Sequence, residues 1–333
     1  MRTGVADCRR LAACIERLTM LSGLSVPVAA ILMVMGVLLD LLLGEVPCWH
    51  PLVGFGRYAS YLERRLNRQT HNFALGVFAW LCAVLPVVLL FAGLIVWIDM
   101  PILAAVLHIF LLYFSLGLRS LRDHSLPIAR ALGCGDLAEA RLLTARIVSR
   151  DTQQSEEADL SKAAVESLLE NGNDAVFGTL FWFVIAGGPG ALLFRLANTL
   201  DAMWGYRTPR FHAFGCGAAR LDDVLNWIPA RLTALSYTLL GNRRLAWQCW
   251  HVQAKQWPSP NAGPVMAAGA GALQVQLGGE ASYDGVVEQR PSLGSGRDAG
   301  AADILRAWRL VLATTIWWCA VMAMIGAIIW WRN

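Results

Sequence analysis

From Phe73 to Ile98 the chain runs without one charged residue. Roughly 20 apolar residues are enough to cross the hydrocarbon core of a bilayer. Such a run belongs either in lipid or in the middle of a large protein core. Composition decides between the two. Of 333 residues, 56% are hydrophobic and 16% charged, where soluble domains carry about 25% charge. The 14 tryptophans suit a membrane interface. The expected fold class is an all-α polytopic membrane protein, with about 4–5 transmembrane helices, a re-entrant helical hairpin, and cytoplasmic-side helices and loops.

One integral membrane domain is expected over 1–333. Residues 1–25 form a basic N-terminal extension with Arg2, Arg9, Arg10 and Arg17. A signal peptide is disfavoured, because Val26–Leu43 is long for a signal core and Leu41-Leu42-Leu43 is no small-residue cleavage site. Residues 26–118 hold the N-terminal spans: Val26–Leu43, then Phe73–Ile98 and Ile102–Leu118 as a hairpin broken at Asp99-Met100-Pro101. The basic stretch from Arg119 to Asp174 reads as cytoplasmic, and the loop 45–72 shares its side. Residues 119–306 form a cytoplasmic-side catalytic region with membrane-embedded segments 175–203 and 228–240. Within it Ala175–Phe194 is broken at Gly187-Gly188-Pro189-Gly190, which favours two half-helices over one plain span. Gly278–Asp303 reads as loop. Residues 307–333 form the last span, ended by Trp330, Trp331 and Arg332.

Several function classes drop out. The net charge of +4 is too mild and diffuse to argue for nucleic acid; it suits anionic lipid or phosphorylated ligands. The cysteines Cys8, Cys14, Cys48, Cys82, Cys134, Cys216, Cys249 and Cys319 include no C-x-x-C pair, so neither zinc nor a disulfide framework is expected. No P-loop, G-x-S-x-G, H-E-x-x-H or Rossmann motif occurs.

What remains is charge placed where lipid makes it expensive. Ser161–Asp174 reads as a helix with Ser161 as a possible N-cap. It carries Glu166, Glu170 and Asp174 at i, i+4 and i+8, three carboxylates on one face. Mg²⁺ would neutralise them, since it takes oxygen ligands and bridges to phosphate; a solvated polar face is the plainer alternative. Asp222 and Asp223, with Asn226 a turn on, lie between Arg220 and Arg231. Carboxylates suit the metal and guanidinium forks suit phosphate; the alternative is structural ion pairs. Asn198 and Asp201 sit at i, i+3 among apolar neighbours, where a helix-to-helix hydrogen bond would serve equally. Ser259-Pro260-Asn261-Ala262-Gly263 is a small-residue turn that a phosphate can approach. Arg150, Asp151 and His124 lie in the basic stretch as ligand contacts or helix caps, His124 being the best-placed titratable base.

These segments resemble one family. Phe214–Ala234, Ser149–Gln153, Ala163–Asn171, Leu180–Trp182, Asn198–Tyr206 and Ser259–Gly263, together with His50, Pro51 and Gly56, are similar to the CobD/CbiB family. The resemblance runs from about Leu38 to the last span. It implies an ATP-dependent, amide-forming ligase of cobalamin biosynthesis in the cell inner membrane. Its substrates would be adenosylcobyric acid and an amino alcohol phosphate such as 1-amino-2-propanol phosphate, with ATP and Mg²⁺ as co-substrate and metal. On that basis Asp222, Asp223, Arg220, Arg231, His124 and Asp201 are the candidate catalytic residues. Arg150, Asp151, Asn171, Asn198, Asn226, Ser259 and Asn261 are the ligand-binding set, and Glu166, Glu170, Asp174, Asp222 and Asp223 the metal ligands. The lipid bilayer is the expected partner, nucleic acid is not, and assembly as a homo-oligomer stays open. Gly172 and Ala175 depart from the family pattern, and Trp257 stands where a histidine is frequent before Pro258; these changes bear on local geometry and on the choice of amine. A corrinoid-binding or transport protein without ligase activity is the alternative reading, because broken helices are a transporter trait.

Overall fold

The computed structural model describes every residue except 1–20, 47–49, 69–71, 207, 284 and 333. The expectations for Arg2, Arg9, Arg10, Arg17, Cys8, Cys14 and Cys48 therefore fall outside the described residues. Helices dominate, as the apolar runs require. Among the described residues, five helical stretches are long and apolar enough to cross a membrane: Val26–Leu43, Phe73–Trp97, Pro101–Gly133, Glu157–Trp204 and Ala301–Arg332. The chain divides into two compact units, one of 1–116, 179–218 and 316–333, the other of 117–178 and 219–315.

The first unit contains α1 (Val26–Leu43), α2 (Pro51–Leu66), α3 (Phe73–Trp97) and α4 (Pro101–Ser115). The stretch expected as a loop over 45–72 is thus partly helix. Pro51 stands at the first helical position, where its missing N–H costs nothing, and His50 Nδ1 accepts from Leu52 N at 3.3 Å. Small residues bring the apolar helices together: a Cβ on Gly36 of α1 would collide with Leu112 of α4. The unit also takes most of α8 (Gly178–Trp204). This helix is interrupted at Ala186 (φ −134°, ψ 20°) and Gly187 (φ 63°, ψ −152°). Gly187 tolerates the left-handed φ that a side chain resists. The turn is sharp enough that a Cβ on Gly190 would strike the Trp182 carbonyl, eight residues back. In an unbroken helix those residues stand about 12 Å apart. Buried His108 caps the break, its Nδ1 accepting from Gly188 N at 2.9 Å. The expected helical hairpin is therefore present.

The second unit holds α5 (Leu118–Gly133), α6 (Leu137–Thr144), α7 (Glu157–Gly172), most of α9 (Cys216–Leu240), α10 (Arg243–Gln253), α11 (Ala262–Leu273) and the start of α12 (Ala301–Arg332). Helix α7 begins four residues before Ser161. Glu156 N donates to Asp159 Oδ2 at 3.4 Å in a first-turn cap, and Ser161 is buried inside the helix. A π turn at Asn173–Phe177 ends α7. All twelve residues of α11 are buried. Its glycines permit this: a Cβ on Gly269 would meet Leu169 of α7, and one on Gly271 would meet Ala246 of α10.

The stretch 278–303, expected as loop, contains strands instead. β1 (Val275–Tyr283) pairs antiparallel with β2 (Val286–Gly294), and β3 (Arg297–Asp298) lies parallel to β1, in the order β2-β1-β3. Glycine hides the pattern from a sequence reading. Gly278, Gly279, Gly285 and Gly294 all have positive φ and serve the bulge near Leu277 and the turns. The Asp-Gly pair at 284–285 is the hairpin signal that was available. The sheet is small, and the all-α class stands.

Candidate functional site

Polar residues far apart in sequence converge inside the second unit. Helix α7 presents Glu166, Glu170 and Asn171 to a cavity of about 280 Å³, whose lining also includes Arg150, Trp257 and Arg290. Glu166 is buried and is the fixed point of this wall. It accepts from Arg150 Nη2, from Arg290 Nη1 at 3.1 Å and Nη2 at 3.3 Å, and from Gly278 N at 2.7 Å. Arg290 also lies over the Trp257 ring, 5.4 Å from its centre. Asp151 acts one residue away from Arg150. Its carboxylate accepts from Ser282 Oγ at 3.1 Å and Gly285 N at 2.8 Å, and its N–H donates to Ser282 O at 2.8 Å. Asp151, expected as a ligand contact or a helix cap, fastens the β-hairpin beside Arg150.

Helix α9 and the turn before α11 form a second cluster in the same unit. Asn261 Nδ2 donates to Asp223 O at 2.9 Å and Asp223 Oδ1 at 3.2 Å. Arg231 donates to Asn261 Oδ1 at 2.6 Å and to Pro260 O at 2.9 Å, with its guanidinium 4.6 Å from the Trp227 ring centre. Ser259 Oγ accepts from Ala262 N at 3.2 Å, opening α11. The Ser-Pro-Asn-Ala-Gly turn is thus docked on the Asp-Asp helix. Burial pushes the Asp223 carboxyl above the ordinary carboxylate range, against the opposing pull of Asn261 and Arg231. Asp222 is buried beside it, and Arg220 is exposed.

The π turn after α7 adds a third cluster in the same unit. Asn226 Nδ2 donates to Asp174 Oδ1 at 2.6 Å, and Asn173 Nδ2 donates to the same oxygen at 3.0 Å and to Asn226 Oδ1 at 2.8 Å. Thr233 Oγ1 donates to Asn173 Oδ1 at 2.9 Å. Asp174 and Asn226 therefore meet across 52 positions of sequence.

Other expectations are not met. Among the described residues no three Asp, Glu, His or Cys side chains gather as a metal-ligand group. The carboxylates Glu166, Glu170, Asp174, Asp222 and Asp223 therefore do not form one metal set. Glu166 is neutralised by guanidinium groups, and Asp174 is held by amides. His124 is exposed on α5, with Nδ1–H donating to Ser120 O at 2.8 Å; it does not line the cavity. Asn198 and Asp201 lie on α8, in the other unit. Asn171 does line the cavity, its Nδ2 donating to Ser167 O at 2.9 Å. Arg290 is the residue that sequence reasoning missed, because it sits on a strand read as loop and meets Glu166 from 124 positions away.

A family model described as CobD/Cbib protein matches residues 33–311. "Cobalamin biosynthesis protein CobD" of Stutzerimonas stutzeri is 54% identical over 289 residues, covering 86% of this chain and 94% of that protein. The protein of the same name from Chromobacterium violaceum is 49% identical over 305 residues, covering 90% and 97%. That of Halalkalibacterium halodurans is 35% identical, covering 88% and 95%. No solved structure matches.

Proposed function

This chain belongs to the CobD/CbiB family of cobalamin biosynthesis, and from that premise we propose that it is an amide-forming ligase of the cell inner membrane. It joins adenosylcobyric acid to an amino alcohol phosphate, 1-amino-2-propanol phosphate or a close relative, at the expense of ATP. The observation that carries this reading is the convergence on one unit of buried guanidinium and carboxylate groups from segments 150–151, 166–174, 222–231 and 259–290.

A carboxylate does not acylate an amine unaided. Phosphoryl transfer from ATP gives an acyl phosphate and ADP; the amine then attacks the acyl carbon and inorganic phosphate leaves. The first step needs positive charge around the transferred group. A Mg²⁺ ion bound with ATP would supply charge neutralisation there and would need only one or two protein carboxylates. The adjacent Asp222 and Asp223, partly buried on α9, suit this, and no larger carboxylate set is required. Arg231, fixed by Asn261 and Pro260, is placed beside Asp223 to meet phosphate oxygen. Arg220 is an exposed second guanidinium on the same helix. His124, on α5 of the same unit, is the candidate for the proton that the amine must lose.

The test is incubation of the purified full-length chain with adenosylcobyric acid, MgATP and 1-amino-2-propanol phosphate, with mass analysis of the corrinoid. Formation of adenosylcobinamide phosphate and ADP is expected, lost in Asp222→Ala and Asp223→Ala. Corrinoid binding without product in a folded protein would favour the transport or binding alternative.

A further inference from the structure

We propose that the cavity beside α7 is the pocket for the amino alcohol phosphate, binding it as a zwitterion, with phosphate on Arg150 and Arg290 and ammonium on Glu170. The choice of ligand rests on the reaction proposed above; the pocket's chemistry is argued from its own residues.

Size comes first. At about 280 Å³ the cavity lies at the lower edge of the ~300–1,000 Å³ typical of small-molecule pockets. A corrinoid is far too large for it, and a nucleoside triphosphate would leave most of its bulk outside. A three-carbon amine phosphate fits.

Charge comes second. The walls offer two guanidinium groups and two carboxylates, and the groups are not equivalent. Glu166 is saturated by two arginines and the Gly278 N–H. Glu170 lines the same cavity one helical turn on, yet makes no hydrogen bond or ion pair among the described residues. Arg150 commits only one of its five donors to Glu166 among those residues, so a fork remains for an anion. Glu166 therefore aligns the arginines, and Glu170 is left as a second carboxyl group, without a hydrogen bond or ion pair among the described residues, in a pocket that already holds cations. A plain anion site gains nothing from that carboxylate. A ligand carrying an ammonium a few bonds from its phosphate does.

The third point is enclosure. The side chains of Arg150 and Arg290 are 11% and 12% exposed. Trp257 stacks on Arg290 and holds its plane. Charges screened from water in this way discriminate strongly between ligands that match them and ligands that do not.

The experiment is calorimetric titration of the detergent-purified full chain, without ATP or corrinoid. The probes are 1-amino-2-propanol phosphate, isopropyl phosphate (no amine) and 1-amino-2-propanol (no phosphate). The zwitterion should bind at least about tenfold more tightly than either half, as one charge-assisted contact implies. Glu170→Gln keeps the shape and leaves the Arg150–Glu166–Arg290 cluster intact. It should weaken the zwitterion about tenfold and leave isopropyl phosphate unchanged. Arg290→Lys should weaken both phosphates together. Equal binding of zwitterion and isopropyl phosphate, equal loss of both in Glu170→Gln, or no binding by the wild type would overturn the assignment. So would displacement of the bound zwitterion by a non-hydrolysable MgATP analogue. Binding with the expected pattern but no amide product would sink the ligase reading alone. Product formation with Glu170→Gln indistinguishable from wild type in titration would sink this inference alone.

Discussion

Two carboxylates in the second unit have nearly the same partners. Glu166 accepts from Arg150, Arg290 and the Gly278 N–H. Asp303 accepts from Arg297 at 2.7 and 2.8 Å, from Arg306 at 2.6 Å and from the Gly300 N–H at 2.9 Å. Both carboxylates are buried. Their arginines are not alike: Arg297 and Arg306 are 58% and 42% exposed, while Arg150 and Arg290 are 11% and 12% exposed. The Asp303 cluster is also local, built within ten residues at the start of α12, where it satisfies the helix N-terminus. The Glu166 cluster draws on segments more than a hundred residues apart and faces a cavity with another carboxylate in it. The same donor set is thus a helix cap in one place and a cavity wall in the other. Burial of the cations and the space beside them make the difference.

The sharpest way to break this comparison is kinetic. Arg290→Ala should lower kcat/KM for amide formation by more than about 100-fold, since a buried charge-assisted contact of roughly 3 kcal/mol is lost. Arg297→Ala should change it less than about threefold. Similar losses in the two variants would show that the Glu166 cluster is merely structural.

Stability separates them next. Glu166→Gln leaves two buried guanidinium groups short of their anion and should cost about 3–5 kcal/mol in denaturant unfolding. Asp303→Asn leaves arginines that can hydrate, and should cost about 1–2 kcal/mol through the lost cap. The reverse order would undo the argument from burial.

Asp223 extends the comparison to a carboxylate that makes no ion pair among the described residues; Arg231 donates to Asn261, which in turn donates to Asp223. Burial raises its carboxyl above the ordinary 3.8. The folded protein then prefers the proton on Asp223 more than the unfolded chain does. That preference favours folding below pH 3.8 and is lost as pH rises through the higher folded value. Asp223→Asn should therefore match the wild type in acid and be the more stable protein at neutral pH. A stability difference that ignores pH would contradict this.

Salt should give the smallest effect. Raising NaCl from about 0.1 to 1 M shortens the screening length from about 10 to 3 Å. The stability change caused by Arg297→Ala should shrink by a few tenths of a kcal/mol, and that of Glu166→Gln should hold. Equal salt sensitivity would place both clusters in the same dielectric environment.

Much of the molecule was legible in its residues. Apolar runs located the crossing helices, because a stretch without charge has few other places to go. The Gly187–Gly190 run marked the break in α8, since only glycine takes that backbone turn cheaply. Spacing put Glu166 and Glu170 one turn apart on α7, with Asp174 in the π turn that follows, and the Asp222–Arg231 segment meets the Ser259–Gly263 turn. What periodicity missed was the β-hairpin, whose glycines erase the alternation that marks a strand. Arg290 went with it.

Hydrophobicity and helical period are properties of neighbouring residues, so the chain by itself determined its class, its spans and the faces on which its carboxylates lie. Which cation meets which anion depends on contacts between distant segments. Only the tertiary structure decided that Glu166 is held by arginines, that Glu170 is left to the cavity, and that five carboxylates do not share one metal. The reason is that the energy of a charge is set by what surrounds it in space, and a linear spacing does not contain that information.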